Sequence, residues 1–196
     1  MSKLNLINNF MDLLTYQEKA ITTKMYDDSI AKPYVILGLC GEISELYEKV
    51  VEAVYSNNRS EEKMKLLRKE VGDVMWYAAA WAHEVDYQLV GFVSGAIAPS
   101  PFAGTTELLD TIVIKGGVCA ENMKKALRDD FRLIQTGGFP ASKEASISKA
   151  VGDIVKLLQC LCRKLVINFD EALQENISKL QSRKDRGVLS GSGDER

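Results

Sequence analysis

Four prolines, Pro33, Pro99, Pro101 and Pro140, are the only ones in the chain, and the long stretches between them carry apolar residues at steps of three and four rather than two. That spacing lines one face of an α-helix, and strand alternation is missing from it. The expected fold is therefore all-α, a helical bundle. Helices are expected over residues 5–25, 33–55, 61–85, 107–129, 142–165 and 170–183, with Pro33 in a first turn, where its missing N–H is not needed. The third is the clearest, because Met64, Leu67, Val71, Val74, Ala78, Trp81 and Val85 form one continuous seam. A Gly/Ala/Pro/Ser-containing connection over 91–104 separates the third and fourth helices, and the glycine- and serine-rich tail 187–196 is expected to be mobile.

Composition removes several function classes. With 196 residues, 46% of them hydrophobic, the chain can bury a core of one domain or two closely packed small ones. A formal charge of -2, from 25 basic and 27 acidic residues, provides no field for a nucleic acid polymer. Cys40, Cys119, Cys160 and Cys162 include no CxxC pair, and His83 is the only histidine, which argues against zinc. His83 reads as a surface or packing residue, and Cys160 and Cys162, on different helix faces, as packing residues. The polar start MSKLNLINNF and the absence of a disulfide framework point to a reducing, cytoplasmic setting. The best apolar run, 89–98, is about half of the roughly 20 residues needed to span a membrane.

Two stretches echo each other. Gly38-Leu39-Cys40-Gly41-Glu42 resembles Gly117-Val118-Cys119-Ala120-Glu121, and Lys69-Glu70-Val71-Gly72-Asp73 resembles Lys149-Ala150-Val151-Gly152-Asp153. The order is kept, as expected of a duplicated two-helix unit. Lys124 then stands for Glu45, and Ala150 for Glu70, so the second copy is degenerate. The organisation expected is a catalytic helical repeat over 1–87, a degenerate repeat over 88–167, and a C-terminal helix and tail over 168–196 that completes the site.

Residues three apart share a helix face, so Glu42 with Glu45, and Glu70 with Asp73, each present paired carboxylates. Such pairs are common on solvated faces. Here, however, both pairs border apolar stripes: Glu70 and Asp73 share a strip with Leu66 and Tyr77, while Glu42 and Glu45 flank Val35, Leu39, Leu46 and Val50. Carboxylates gathered at a bundle border repel one another unless a cation compensates. Four oxygen ligands without histidine suit magnesium, with manganese as the other ion, and suit the hydrolysis of a phosphoanhydride.

The segment Gly41-Glu42-Ile43-Ser44-Glu45, followed by Glu70-Val71-Gly72-Asp73, resembles the EExxE and ExxD signature of the MazG-like, all-α nucleoside triphosphate pyrophosphohydrolases, relatives of the dimeric dUTPases. Gly41 replaces the first glutamate of that signature. Tyr16-Gln17-Glu18-Lys19-Ala20 and Asn176-Ile177-Ser178-Lys179-Leu180, with Arg183 and Arg186 and the tail to Arg196, extend the likeness to residues 1–87 and 168–196. The resemblance implies a magnesium-dependent hydrolase converting a nucleoside triphosphate to the monophosphate and pyrophosphate. In it Glu42, Glu45, Glu70 and Asp73 are the catalytic metal ligands. Two chains of such proteins commonly pair, which implies a homodimer or, through the second copy, an internal partner.

It also implies that Lys179, Arg183 and Arg186 meet the triphosphate, and their spacing does put them on one helical face. A basic last turn favoured by the helix dipole is the plainer alternative. Gln17, Trp76 and Tyr77 are candidates for a base pocket, although aromatic residues on a bundle helix are more often core. Rival readings are a phosphoribosyl-ATP pyrophosphohydrolase, a non-catalytic helical regulator, and a di-iron carboxylate bundle; the last requires Glu-x-x-His motifs that the chain lacks.

Overall fold

The computed structural model describes residues 11–56 and 60–188. They form eight α-helices: α1 (Leu13–Ile21), α2 (Ala31–Tyr55), α3 (Glu61–Glu84), α4 (Leu89–Ser94), α5 (Thr105–Asp129), α6 (Phe131–Gln135), α7 (Ala141–Leu165) and α8 (Phe169–Asp185). No strand occurs among the described residues, so the chain is all-helical. Local chemistry marks several helix starts. Asp12 accepts from the Thr15 amide at 2.9 Å, Ser60 from Lys63 and Asn168 from Glu171, each satisfying an amide that the first turn leaves open. Among the described residues no helix is long and apolar enough to cross a membrane.

Two long hairpins carry the architecture. α2 packs on α3 and α5 packs on α7, while α2–α5 and α3–α7 contacts join the hairpins. The expected seam of α3 lies between them: Leu67, Val71, Val74, Ala78 and Trp81 are buried, with Met64 and Val85 partly buried at its ends. Each fully buried large apolar side chain stabilises the fold by about 1.5–3 kcal/mol. Trp81 is completely enclosed and spends its one donor on Ser148 Oγ, 3.0 Å away on α7. His83 is exposed, and the four cysteines are free.

The first helix is shorter than the pattern suggests within the described residues, beginning at Leu13; positions 5–10 lie outside them, as does the tail from 189 onward. Two short helices were not expected. α4 overlaps the start of the segment read as a connection because Leu89 and Val93, one turn apart, are both buried, and because Gln17 ties it to α1. α6 is a brief turn between α5 and α7, too short for periodicity to reveal.

The two echoed glycines, Gly72 and Gly152, each lie under a neighbouring helix. α8 lies on α3 at Gly72, where an added Cβ would sit 2.6 Å from Asn176 Cβ; α4 lies on α7 at Gly152, where it would sit 2.4 Å from the Phe92 carbonyl oxygen. Each glycine thus admits the close approach of another helix, a side chain at Gly72 and backbone at Gly152. The residue that reaches Asp153 is Lys115, and Glu121, the echo of Glu42, is half-exposed and ion-paired with Lys124 and Lys125 on its own helix.

Candidate functional site

α2 and α3 run against each other with their paired carboxylates on the facing sides. The approach is close because Gly38 has no side chain: a Cβ there would lie 2.1 Å from the Tyr77 ring. One turn along α2 from Gly38 comes Glu42, and one turn back along α3 from Tyr77 comes Asp73. One carboxylate oxygen from each of Glu42, Glu45 and Glu70 lies within 4.8 Å of the other two. Glu70 is only 4% exposed, Glu42 is half-buried and Glu45 opens to solvent. The cluster thus grades from buried at Glu70 to solvent at Glu45.

Its electrostatics are unfavourable as it stands. Burial pushes the Glu42 carboxyl up to about 8, with the charges of Asp73, Glu45 and Glu70 adding to the rise and Lys179 opposing it. A group of acceptor-only side chains that drives one member to hold its proton is a donor set suited to a divalent cation, since the ion would relieve the same repulsion. The residues present therefore fit a hard metal ion.

Asp73 belongs to a different local arrangement from the three glutamates. Lys179 Nζ lies 2.6 Å from both of its oxygens, and Asn176 Nδ2 donates to Oδ1 at 2.8 Å. Both partners come from α8, so the C-terminal helix is what fixes Asp73. Tyr16, fully buried on α1, donates to Asn176 Oδ1 at 2.9 Å and to the Gly72 carbonyl at 3.2 Å. Burial, then the charge of Asp73, pushes its phenol well above the ordinary value, so it stays a donor. A relay from Tyr16 through Asn176 to Asp73 results. Asn176 and Tyr16 fall inside segments noted in the sequence, but nothing there singled them out; the usable signal was a tyrosine and an asparagine at positions of helix burial.

Of the basic residues on α8, Lys179 reaches the site, Arg183 is 94% enclosed by the bundle (6% exposed), and Arg186 is exposed with its Nε turned back to the Ser182 carbonyl at 3.3 Å. Gln17 is also drawn elsewhere: its Nε2 donates to the Tyr87 carbonyl at 2.9 Å and its Oε1 accepts from the Leu89 amide at 2.8 Å. Both ends of that amide hold the α3–α4 junction. Trp76 donates from Nε1 to Ala20 O and Thr23 Oγ1 and meets Tyr77 edge-on at 4.9 Å. Tyr34 lies 6.3 Å from Tyr77 and 4.9 Å from Tyr26, which extends this aromatic group across the α2 side. Rings and carboxylates thus adjoin at Tyr77. Burial, then Tyr34, raises the Tyr77 phenol above its ordinary value, with Glu42 and Asp73 contributing.

Gly41, where the signature has a glutamate, is exposed, and a Cβ there would meet nothing within 4 Å. A side chain at that position would add nothing to the cluster's packing.

The chain is similar to the Gene 37 protein of Mycobacterium phage L5, 35% identical over 85 residues that make up 43% of this chain and 70% of that protein. No family model and no solved structure matches the chain.

Proposed function

The chain belongs to the family of the Gene 37 protein of Mycobacterium phage L5, and we propose that it is a magnesium-dependent, MazG-like hydrolase that converts a nucleoside triphosphate to the monophosphate and pyrophosphate. The observation that carries this reading is the convergence of Glu42, Glu45 and Glu70 oxygens within 4.8 Å, beside Asp73 and a lysine. The three glutamates would hold the ion, and Asp73 would join them on release from Lys179. Magnesium, or manganese, supplies positive charge against phosphate oxygens and makes a water more acidic.

The remaining work falls to the chain. Lys179 is near enough to exchange Asp73 for a phosphate oxygen, a trade of one anionic partner for another. Arg186, exposed at the C-cap of that helix, can follow the polyphosphate outward, whereas Arg183 is buried. Exposed Tyr34, its ring 6.3 Å from that of half-buried Tyr77, offers a stacking surface for the base next to the carboxylates. In the reaction a water oxygen adds to the α-phosphorus, the bond from that phosphorus to the bridging oxygen breaks, and pyrophosphate leaves with the bridge. The proton of the water passes to a carboxylate of the cluster.

A second reading, a non-catalytic helical regulator, draws on one observation: both oxygens of Asp73 are already engaged by Lys179. A panel of deoxynucleoside and nucleoside triphosphates, with phosphoribosyl-ATP, separates the readings when pyrophosphate release is followed with magnesium and with EDTA. Release that needs the metal and falls by about a hundredfold or more in Glu70→Gln and Asp73→Asn is expected. Turnover that survives EDTA or either substitution sinks the proposal, and no turnover of any nucleotide supports the regulator.

A further inference from the structure

Asp73 has two partners from α8, and they differ in how freely they can leave. Lys179 Nζ lies 2.6 Å from both carboxylate oxygens, on a side chain that stays 19% exposed. Asn176, which donates to Oδ1 at 2.8 Å, is only 2% exposed and packs over Gly72. Because an ionised carboxylate only accepts, the Asn176 amide presents Nδ2 to it and Oδ1 to the Tyr16 hydroxyl, 2.9 Å away and wholly enclosed. The asparagine is thus the fixed partner and the lysine the loose one.

The lysine also stands where positive charge is wanted. Glu42, Glu45 and Glu70 gather oxygens within 4.8 Å of one another, and Asp73 is not one of that group. While Lys179 holds both Asp73 oxygens, a divalent ion approaching them meets an ammonium. A phosphate oxygen offers that ammonium an anionic acceptor in exchange, within reach of a side chain already open to water.

Resting on the metal-dependent reading above, we propose that Lys179 is an exchangeable internal counter-ion that closes Asp73 to the metal until a polyphosphate draws it away, while Asn176, anchored by Tyr16, keeps the carboxylate in place. Metal and polyphosphate then favour each other's binding, since the phosphate removes the ion's competitor and the ion frees the lysine for the phosphate. A lysine that only held phosphate would act on that ligand alone. This one acts on the two ligands with opposite signs.

Manganese alone and magnesium tripolyphosphate, each titrated into the full chain and into Lys179→Met, test it. Electron paramagnetic resonance reads free manganese, and calorimetry reads the tripolyphosphate. Methionine fills similar space without the charge, so the variant is expected to bind manganese about tenfold more tightly than the parent and magnesium tripolyphosphate about tenfold more weakly. In an Asp73→Asn background the manganese gain should shrink to about threefold or less, because no carboxylate is left to release. Damage to the fold weakens both ligands, so the opposite signs separate the proposed role from a structural one. Manganese binding that is unchanged or weaker in Lys179→Met, tripolyphosphate binding that is undiminished in it, or an equal manganese gain with and without Asp73 overturns the proposal. Those results leave the hydrolase reading to its own assay, pyrophosphate release by the unaltered chain.

Discussion

Replacing Glu42 by glutamine removes one negative charge from the cluster while keeping the side chain's shape. The Glu42 carboxyl is moved from 4.5 to about 8, first by burial and then by Asp73, Glu45 and Glu70. At about 1.4 kcal/mol for each tenfold change in proton affinity, that displacement corresponds to on the order of 5 kcal/mol, and solvent entering through the Glu45 side screens it to about 2 kcal/mol. Because the folded protein holds this proton more tightly than the unfolded chain, stability is lost as pH rises from the ordinary carboxyl range toward 8. Below that window both states are protonated and glutamine changes little. Above it the native carboxylate is ionised among like charges, and glutamine relieves the strain. Thermal denaturation in EDTA should therefore show Glu42→Gln matching the parent near pH 5 and melting higher near pH 9. At about 2–4 °C per kcal/mol for a chain of this size, the gain is about 6 °C. Magnesium should raise the melting temperature of the parent at pH 9 and do so much less in the variant. A variant no more stable than the parent at pH 9 in EDTA would refute the reasoning, because the carboxylates would then not be repelling one another.

Gly72→Ala would set a methyl 2.6 Å from Asn176 Cβ and push α8 away from α3; a loss of about 1–3 kcal/mol in denaturant unfolding is expected, together with loss of any magnesium-dependent turnover. Ser148→Ala leaves the enclosed Trp81 indole without its acceptor and should lower stability by about 1–3 kcal/mol, with an altered near-ultraviolet tryptophan signal. Val166 ends α7 in the left-handed region, at φ 60, with 86% of its surface exposed, so Val166→Gly removes a β-branched side chain from a conformation it disfavours and should raise the melting temperature by about 2–4 °C.

Much of the fold was legible because long helices repeat their signal. The α3 seam from Leu67 to Trp81 reads as a buried stripe over several turns, and the structure buries each of those residues. α4 was not legible: a helix from Leu89 to Ser94 has one turn of buried residues and is held by Gln17, a contact made by a residue far earlier in the chain. The site shows the same division. Glu42, Glu45 and Glu70, whose oxygens the structure gathers, were singled out in the sequence by i, i+3 spacing within each helix together with the likeness to a family signature. The commitment of Asp73 to Lys179 and Asn176, and of Gln17 to the α4 start, depends on which helix lies alongside, and helical periodicity does not encode that.

The contrast between Asp73 and Asp153 gives the acidic cluster its meaning. Both follow a glycine that lets a neighbouring helix approach, and both sit on the second long helix of a hairpin. Around Asp153 the chain places Lys115 and Lys149, and Ala150 where the first copy has Glu70, so its carboxyl is held below the ordinary range despite burial. Around Asp73 it places Lys179 but also three glutamates, and the excess charge falls on Glu42. The same scaffold thus accommodates a carboxylate with neutralising lysines close by. Physical stability alone would favour that solution in both hairpins. Retaining Glu42, Glu45 and Glu70 in the first keeps an electrostatic debt that a divalent ion and a phosphate ligand would settle together, which is why the first hairpin, and not the second, is where the proposed chemistry is placed.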